Sequence, residues 1–137
     1  MTFITAMTEQ TRTRSRYFIR TEDVRGYHPA NHTGTLNRRL IGAETVGAKR
    51  LEVVHGTIEP GAGALPHAHP EIEQVCYLLE GRAIAEIGGE RQEMRAGDCC
   101  FFPAGMPHVF TVTGDQTAKV LVIYSPPYEE NPARVVR

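Results

Sequence analysis

The stretch GAGALPHAHPEIEQVCYLLEG (residues 61–81) decides how this chain is interpreted. It places His67 and His69 one residue apart, directly before an apolar run of the kind that forms a strand. Side chains two apart on a strand point the same way, so the two imidazoles can converge on one point. The simpler interpretation is a polar loop that leads into a strand. The choice depends on whether the rest of the chain supplies further ligands.

A second stretch, GDCCFFPAGMPH (residues 97–108), supplies another histidine. A Gly-Asp turn, an apolar strand and a Pro-x-Gly turn precede His108, which opens the next strand and can close the site from across a barrel. Three imidazoles with one oxygen ligand suit borderline divalent metals such as Mn, Fe, Co, Ni or Zn. An octahedral ion would keep two positions open for substrate or water.

The hydrophobic pattern predicts short strands separated by turns, which is typical of an all-β sandwich or barrel. Strands are expected at residues 16–20, 50–60, 74–79, 82–87, 90–94, 99–103, 108–113 and 118–124, with a tight hairpin at Gly88-Gly89. Residues 26–42 are too polar for a core strand and are expected to form a long loop. Residues 1–15 are predicted to be a flexible segment, residues 16–125 the barrel domain and residues 126–137 an extended tail.

The two stretches resemble the signature motifs of the cupin superfamily. The first motif here comprises Gly61, His67, His69, Gln74 and Gly81, and the second comprises Gly97, Pro103, Gly105 and His108. The resemblance implies a double-stranded β-helix, or jelly-roll barrel, and a metal held by His67, His69, Gln74 and His108, with manganese as the first choice. Glu73 is a rival ligand if the strand slips by one residue.

Glutamine departs from the commonest cupin pattern, which has glutamate as the third ligand. Four neutral ligands leave the ion its full 2+ charge, so it polarises a bound carbonyl more strongly. An anionic ligand that would stabilise a higher oxidation state is also lost. Both effects favour a Lewis-acid isomerase or lyase over an oxygen-using enzyme.

Residues 31–44 and 124–136 are similar to small bacterial cupins of the methylthioadenosine-to-isoprenoid shunt. This resemblance implies removal of the methylthio group from 1-methylthio-xylulose 5-phosphate, with a thiol such as glutathione as co-substrate, to give 1-deoxyxylulose 5-phosphate. Cys76 would then be a catalytic acid, base or nucleophile, although a buried thiol most often only packs. Arg38 and Arg39 would bind the phosphate, although such a pair is most often solvated.

Two other functions remain open, a dioxygenase that uses O₂ and a non-catalytic cupin that binds a small ligand. The formal net charge of -1 gives no electrostatic footprint for nucleic acid, and no apolar window is long enough to span a membrane. The N-terminus has no secretory signal, and three cysteines make a poor disulfide framework. We therefore expect free thiols, a cytoplasmic location and a homodimer in which the strand at residues 16–20 crosses to the partner.

Overall fold

The computed structural model describes residues 17–129, which form eight strands and one short 3-10 helix at Thr21–Asp23. The strands are β1 (His32–Ile41), β2 (Glu52–His67), β3 (Glu73–Glu80), β4 (Arg82–Ile87), β5 (Glu90–Arg95), β6 (Cys99–Phe102), β7 (His108–Thr113) and β8 (Ala118–Ser125). The flexible segment predicted at residues 1–15 and most of the predicted tail lie outside the described residues. No helix in the described part is long and apolar enough to cross a membrane.

All pairings between these strands are antiparallel, in the order β5-β4-β7-β2-β8-β3-β6, with β1 also paired to β2. Strands β5 and β6 are the two ends of this order and leave a groove between them. The result is an all-β, nearly closed antiparallel barrel, so the predicted double-stranded β-helix is confirmed. The expected hairpin at Gly88-Gly89 joins β4 to β5.

The long strand β2 organises the barrel because it pairs with three other strands. Its first half pairs with β8, its last residues pair with β7, and β1 follows it over most of its length. The strand predicted at residues 50–60 therefore continues to His67. Gly63 permits this continuation, since its φ of +151° favours glycine and the Phe110 backbone of β7 passes close by. As a result, His67 lies directly opposite His108 on β7.

Strand β1 corrects the prediction of a long loop at residues 26–42. Thr35 and Asn37 are buried, while Leu36 and Arg38, which alternate with them, are only partly buried. The segment is polar because the inward face of the strand lines the cavity beside the buried histidines, so its composition resembles that of a loop. The strand predicted at residues 16–20 is wrong for its described part, since residues 17–20 contain no strand.

The apolar core fills the barrel on the side chains that alternate inward along each strand. Its fully buried members include Val54, Leu78, Ala83, Val112 and Ala118. The buried polar residues are concentrated on β1, at the end of β2, on β3 and at the start of β7. The metal-ligand candidates therefore lie inside the barrel and share its rigid walls.

Candidate metal centre

Three buried histidines meet inside the barrel. The ligand atoms of His67, His69 and His108 lie within 4.8 Å of one another, and each residue is no more than 4% exposed. The Nε2 atoms of His67 and His69 are 3.1 Å apart, which brings two nitrogen donors to the same point. Buried imidazoles converging in this way form a metal-binding site. The site suits a divalent ion.

Backbone carbonyls orient two of the imidazoles. The Nδ1 atom of His67 donates to the Leu65 carbonyl, and that of His108 donates to the Met106 carbonyl over 3.1 Å. Because a carbonyl oxygen can only accept, each Nδ1 carries the proton and each Nε2 keeps its lone pair. Such partners fix the tautomer that a metal ligand requires.

The Pro-x-Gly turn explains why the second motif has its particular residues. The Met106 N–H donates to the Pro103 carbonyl, which closes the turn, and Gly105 has a φ of +75° that favours glycine. The Gly105 N–H then donates to the His69 carbonyl over 2.9 Å. One turn therefore holds the backbone of His69 and, through Met106, the ring of His108.

Unsatisfied buried atoms show that the residues fit a metal ion. Gln74 Oε1 and His108 Nε2 are both buried and have no hydrogen-bond partner, although both residues line the same cavity. A buried acceptor without a partner costs free energy, and a bound cation would remove that cost. Gln74 is 8% exposed and faces inward on β3, whereas its neighbour Glu73 is exposed on the opposite face. The inward position of Gln74 is the one that a fourth ligand needs.

Burial keeps His67 and His108 neutral. It lowers the pKa of His67 and, together with the neighbouring His67, lowers the pKa of His108 to about 4. A neutral imidazole is the form that binds metal, so protons compete weakly with a cation at this site near neutral pH.

The cavity beside the three histidines is small and mostly apolar. Its volume is about 30 Å³. Aliphatic and aromatic side chains form one part of its wall: Ile58, Ala64, Phe102, Phe110, Val120, Val122 and Tyr124. The remaining lining residues are polar or carry a thiol: His32, Thr35, Asn37, His67, Gln74, Cys76 and His108. Among these residues there is no carboxylate, lysine or arginine.

His32 is a cavity residue that the sequence did not identify. Its ring centroid is 5.8 Å from that of His67, and burial, followed by the charges of His67 and His108, lowers its pKa to about 4. A lone histidine in a polar segment does not indicate, from the sequence alone, that it lies in a cavity. Its strand gives no apolar alternation either, because the buried positions Thr35 and Asn37 are polar.

Aromatic rings pack against the metal-binding histidines. Phe102 stacks on His108 with centroids 4.2 Å apart, and Tyr128 lies 4.8 Å from His69. Tyr128 also lies 5.2 Å from Tyr124 and is only 5% exposed. The first residues of the C-terminal segment therefore help to exclude water from the site.

Cys76 lies inside the barrel, two residues after Gln74, and lines the cavity. A hydrogen bond with Cys100 and burial raise the pKa of the Cys76 thiol well above its usual value. The thiol is therefore protonated at neutral pH, where it can donate a proton more readily than it can attack as a thiolate.

Arg38 and Arg39 are not brought to the cavity. Adjacent residues on β1 point to opposite faces, and neither arginine lines the wall beside the histidines. Arg39 instead contacts Glu44 over 2.6 Å and the buried Glu52 over 3.0 Å, and it lies over the Tyr27 ring. Its positive charge is thus engaged by two carboxylates at a separate place in the fold.

The chain matches known proteins over most of its length. The polyketide synthase CurC of Streptomyces cyaneus is 32% identical over 107 residues, which cover 78% of this chain and 70% of that protein. The polyketide cyclase RemF of Streptomyces resistomycificus is 28% identical with a TM-score of 0.67, covering 80% of this chain and 78% of that chain. A sugar phosphate isomerase of the cupin superfamily from Silicibacter pomeroyi is 27% identical with a TM-score of 0.67, covering 80% and 76%.

The matched family is the one described as Cupin domain, and its match runs over residues 54–124. That range begins in β2 and ends in β8, so it contains all three histidines and the Pro-x-Gly turn that orients two of them. Family, fold and metal-binding residues agree, and the chain belongs to the small cupin-domain proteins of the cupin superfamily.

Proposed function

We propose that this cupin is a metal-dependent enzyme that acts on a small keto or hydroxy compound. The observation that carries the proposal is the set of buried neutral donors, three imidazoles and the Gln74 oxygen, in a wall without carboxylates. A divalent ion held by these residues would supply Lewis-acid polarisation of a substrate carbonyl. The chain itself would orient the substrate and exclude water.

The polar groups opposite the histidines support this role. His32, Thr35 and Asn37 all belong to β1 and line the cavity, so one strand offers several hydrogen-bonding groups to substrate oxygens. The protonated Cys76 thiol is a further candidate as a proton donor, next to the proposed ligand Gln74. These residues would position the substrate for proton transfer next to the polarised carbonyl.

Within this class, the first candidate substrate is 1-methylthio-xylulose 5-phosphate, with glutathione as the thiol co-substrate and manganese as the ion. The thiol in the cavity and the relative named as a sugar phosphate isomerase favour it. Since the cavity wall has no lysine or arginine, the phosphate group would have to lie outside the wall described above. Arg38 would be the cation to test for that contact, because Arg39 is already paired.

The second candidate is cyclisation of a polyketide chain. The apolar side of the wall, including Ile58, Phe110 and Val122, favours a substrate with an apolar body. Two of the relatives carry polyketide names, a synthase and a cyclase. A pocket for a small molecule usually measures about 300 Å³ or more, so either substrate requires the lining side chains to move apart.

Activity should be measured on the full chain reconstituted with Mn²⁺, Fe²⁺, Co²⁺, Ni²⁺ or Zn²⁺ under argon. The phosphosugar with glutathione and an open-chain polyketone are the two test substrates. We expect turnover of one of them without O₂, and its loss in His67→Ala. His55→Ala is the matched control, because His55 is half-buried on β2 but does not line the cavity.

Three results would separate the alternatives. Turnover that requires stoichiometric O₂ would replace the proposal with a dioxygenase. Tight binding of a ligand without turnover of any substrate would favour a binding protein. If the protein binds no divalent ion, or if His67→Ala binds it as tightly as the wild type does, the metal assignment itself is wrong.

A further inference from the structure

Two cysteine thiols face each other across neighbouring strands. Cys76 on β3 lies directly opposite Cys100 on β6 in the antiparallel register. Residues directly opposite one another project to the same side of a sheet, so the two thiols meet. They form a side-chain hydrogen bond with each other. Cys99, by contrast, is opposite Tyr77, is exposed and points to the other face.

The two cysteines lie at different places in the barrel wall, one at the inner cavity and one at the outer groove. Cys76 lines the cavity beside the histidines, while the half-buried Cys100 lines the groove between the edge strands β5 and β6. That groove has a volume of about 480 Å³ and is flanked by Ile87 and Met94 on one side. A small molecule in the groove can therefore reach the Cys100 sulfur without entering the barrel.

We propose that Cys100 is a modification site for small disulfides such as oxidised glutathione, and that Cys76 resolves the adduct. The Cys100 thiolate attacks one sulfur of the disulfide, whose S–S bond breaks and releases one glutathione thiolate. The released glutathione thiolate takes the proton of the Cys76 thiol, whose sulfur then attacks the Cys100 sulfur, breaks the mixed S–S bond and releases the second glutathione. The protein loses two protons and two electrons and gains a Cys76–Cys100 bond, while the oxidised glutathione becomes two thiols.

The register makes this bond geometrically accessible. Opposite residues of an antiparallel pair have Cα atoms about 4.5 or about 5.5 Å apart. Both separations lie within the range of about 4.4–6.8 Å in which disulfides form. A bond between Cys76 and Cys99 would require one of the two strands to turn over, because their side chains leave opposite faces of the sheet. The expected product is therefore specific to one of the two adjacent cysteines.

The test treats the reduced, folded full chain with excess oxidised glutathione and follows intact mass. We expect the Cys76–Cys100 pair to lose two hydrogen atoms, with a glutathione adduct on Cys100 at most transient, and reduced thiols to reverse the change; an adduct on the exposed Cys99 would add one glutathione to the mass without affecting the bond. Trypsin separates the partners, since residues 51–82 contain Cys76 and residues 96–119 contain Cys99 and Cys100. The two peptides should be cross-linked in the oxidised sample.

Three single-residue variants show which cysteines form the disulfide bond. Cys99→Ser is the matched control and should cross-link as the wild type does, whereas Cys100→Ser should lower the yield at least about tenfold. Cys76→Ala should accumulate a stable glutathione adduct on Cys100. A cross-link that survives in Cys100→Ser, or one that forms only in denaturant, would overturn the proposal. If Cys76→Ala does not fold, the Cys99→Ser and Cys100→Ser results decide alone.

Discussion

Replacing Gly63 by alanine should damage the barrel and the metal site together. A Cβ atom at this position would lie 2.0 Å from the Phe110 carbonyl oxygen and 2.9 Å from its carbon, both backbone atoms of β7. Cβ atoms essentially never approach other heavy atoms within 3.0 Å, so β2 and β7 must separate by about 1 Å. Since no flexible side chain can yield there, we expect a loss of about 3 kcal/mol or more in the free energy of unfolding.

The same displacement reaches the metal ligands, because β2 ends at His67 and β7 begins at the opposite residue, His108. Metal–ligand bonds tolerate about 0.2 Å, so a separation several times larger should weaken metal binding by about tenfold or more. The assays are urea unfolding of the metal-free protein and calorimetric titration with Zn²⁺ or Mn²⁺.

Gly61→Ala provides the matched control two residues earlier on the same strand. Its φ is +78°, but nothing lies within 4 Å of the added Cβ atom. The only cost of the substitution is then the left-handed backbone conformation, which should lower the free energy of unfolding by about 1–2 kcal/mol. Metal affinity should be nearly unchanged. If the two variants prove equally stable and bind metal equally well, the close approach of β7 does not position the site.

Three further predictions concern charge, protons and assembly. Gln74→Glu should retain the metal yet lower the rate, because a carboxylate ligand weakens polarisation of the substrate carbonyl; steady-state kinetics with metal analysis checks this. Burial lowers the pKa of His32 and His108 to about 4 in the folded protein, whereas an unfolded histidine has a pKa of about 6.5. As the pH falls from about 6.5 towards 4, the unfolded state binds protons that the folded state does not, so the metal-free protein should lose stability. We expect a loss of at least about 2 kcal/mol between pH 7 and 4.5 by urea unfolding, and no loss would refute the burial of these rings. The proposed homodimer should weaken in Phe101→Lys, because Phe101 is 48% exposed on the edge strand β6; light scattering that finds a monomer in the wild type would contradict it.

The metal-binding histidines could be predicted because each lies close in sequence to the element that positions it. His67 and His69 are two residues apart, and a single turn at Pro103–Gly105 separates the strand β6 from His108. Alternation along β3 also placed Gln74 and Cys76 on the inner face, and both side chains are buried there. Local spacing was sufficient wherever the geometry depended on a few consecutive residues.

Strand β1 could not be predicted because its character depends on distant partners. Hydrophobic alternation identifies a strand only if its inner face meets an apolar core. The inner face of β1 instead meets the histidines, so Thr35 and Asn37 are polar where a core strand would carry valine or leucine. The role suggested for Arg39 met the same difficulty, because its partner Glu52 lies thirteen positions along the chain and is placed by the pairing of β1 with β2.

Three of the four polar or thiol-bearing wall residues that are not proposed metal ligands, His32, Thr35 and Asn37, therefore come from β1, the strand that the composition did not reveal. β1 pairs with β2 alone among the named strands, and its other side makes an isolated bridge from Asn37 to Tyr27. The three metal-binding histidines are held by the barrel itself, whereas His32 and Asn37 belong to β1, which has fewer neighbouring strands. Under the proposed function, metal binding and substrate choice would rest on different parts of the chain. The Pro-x-Gly turn orients metal ligands, and the register of β1 on β2 sets the groups that would face a substrate. A change in β1 that preserves this register should alter which compound is accepted while leaving metal affinity intact.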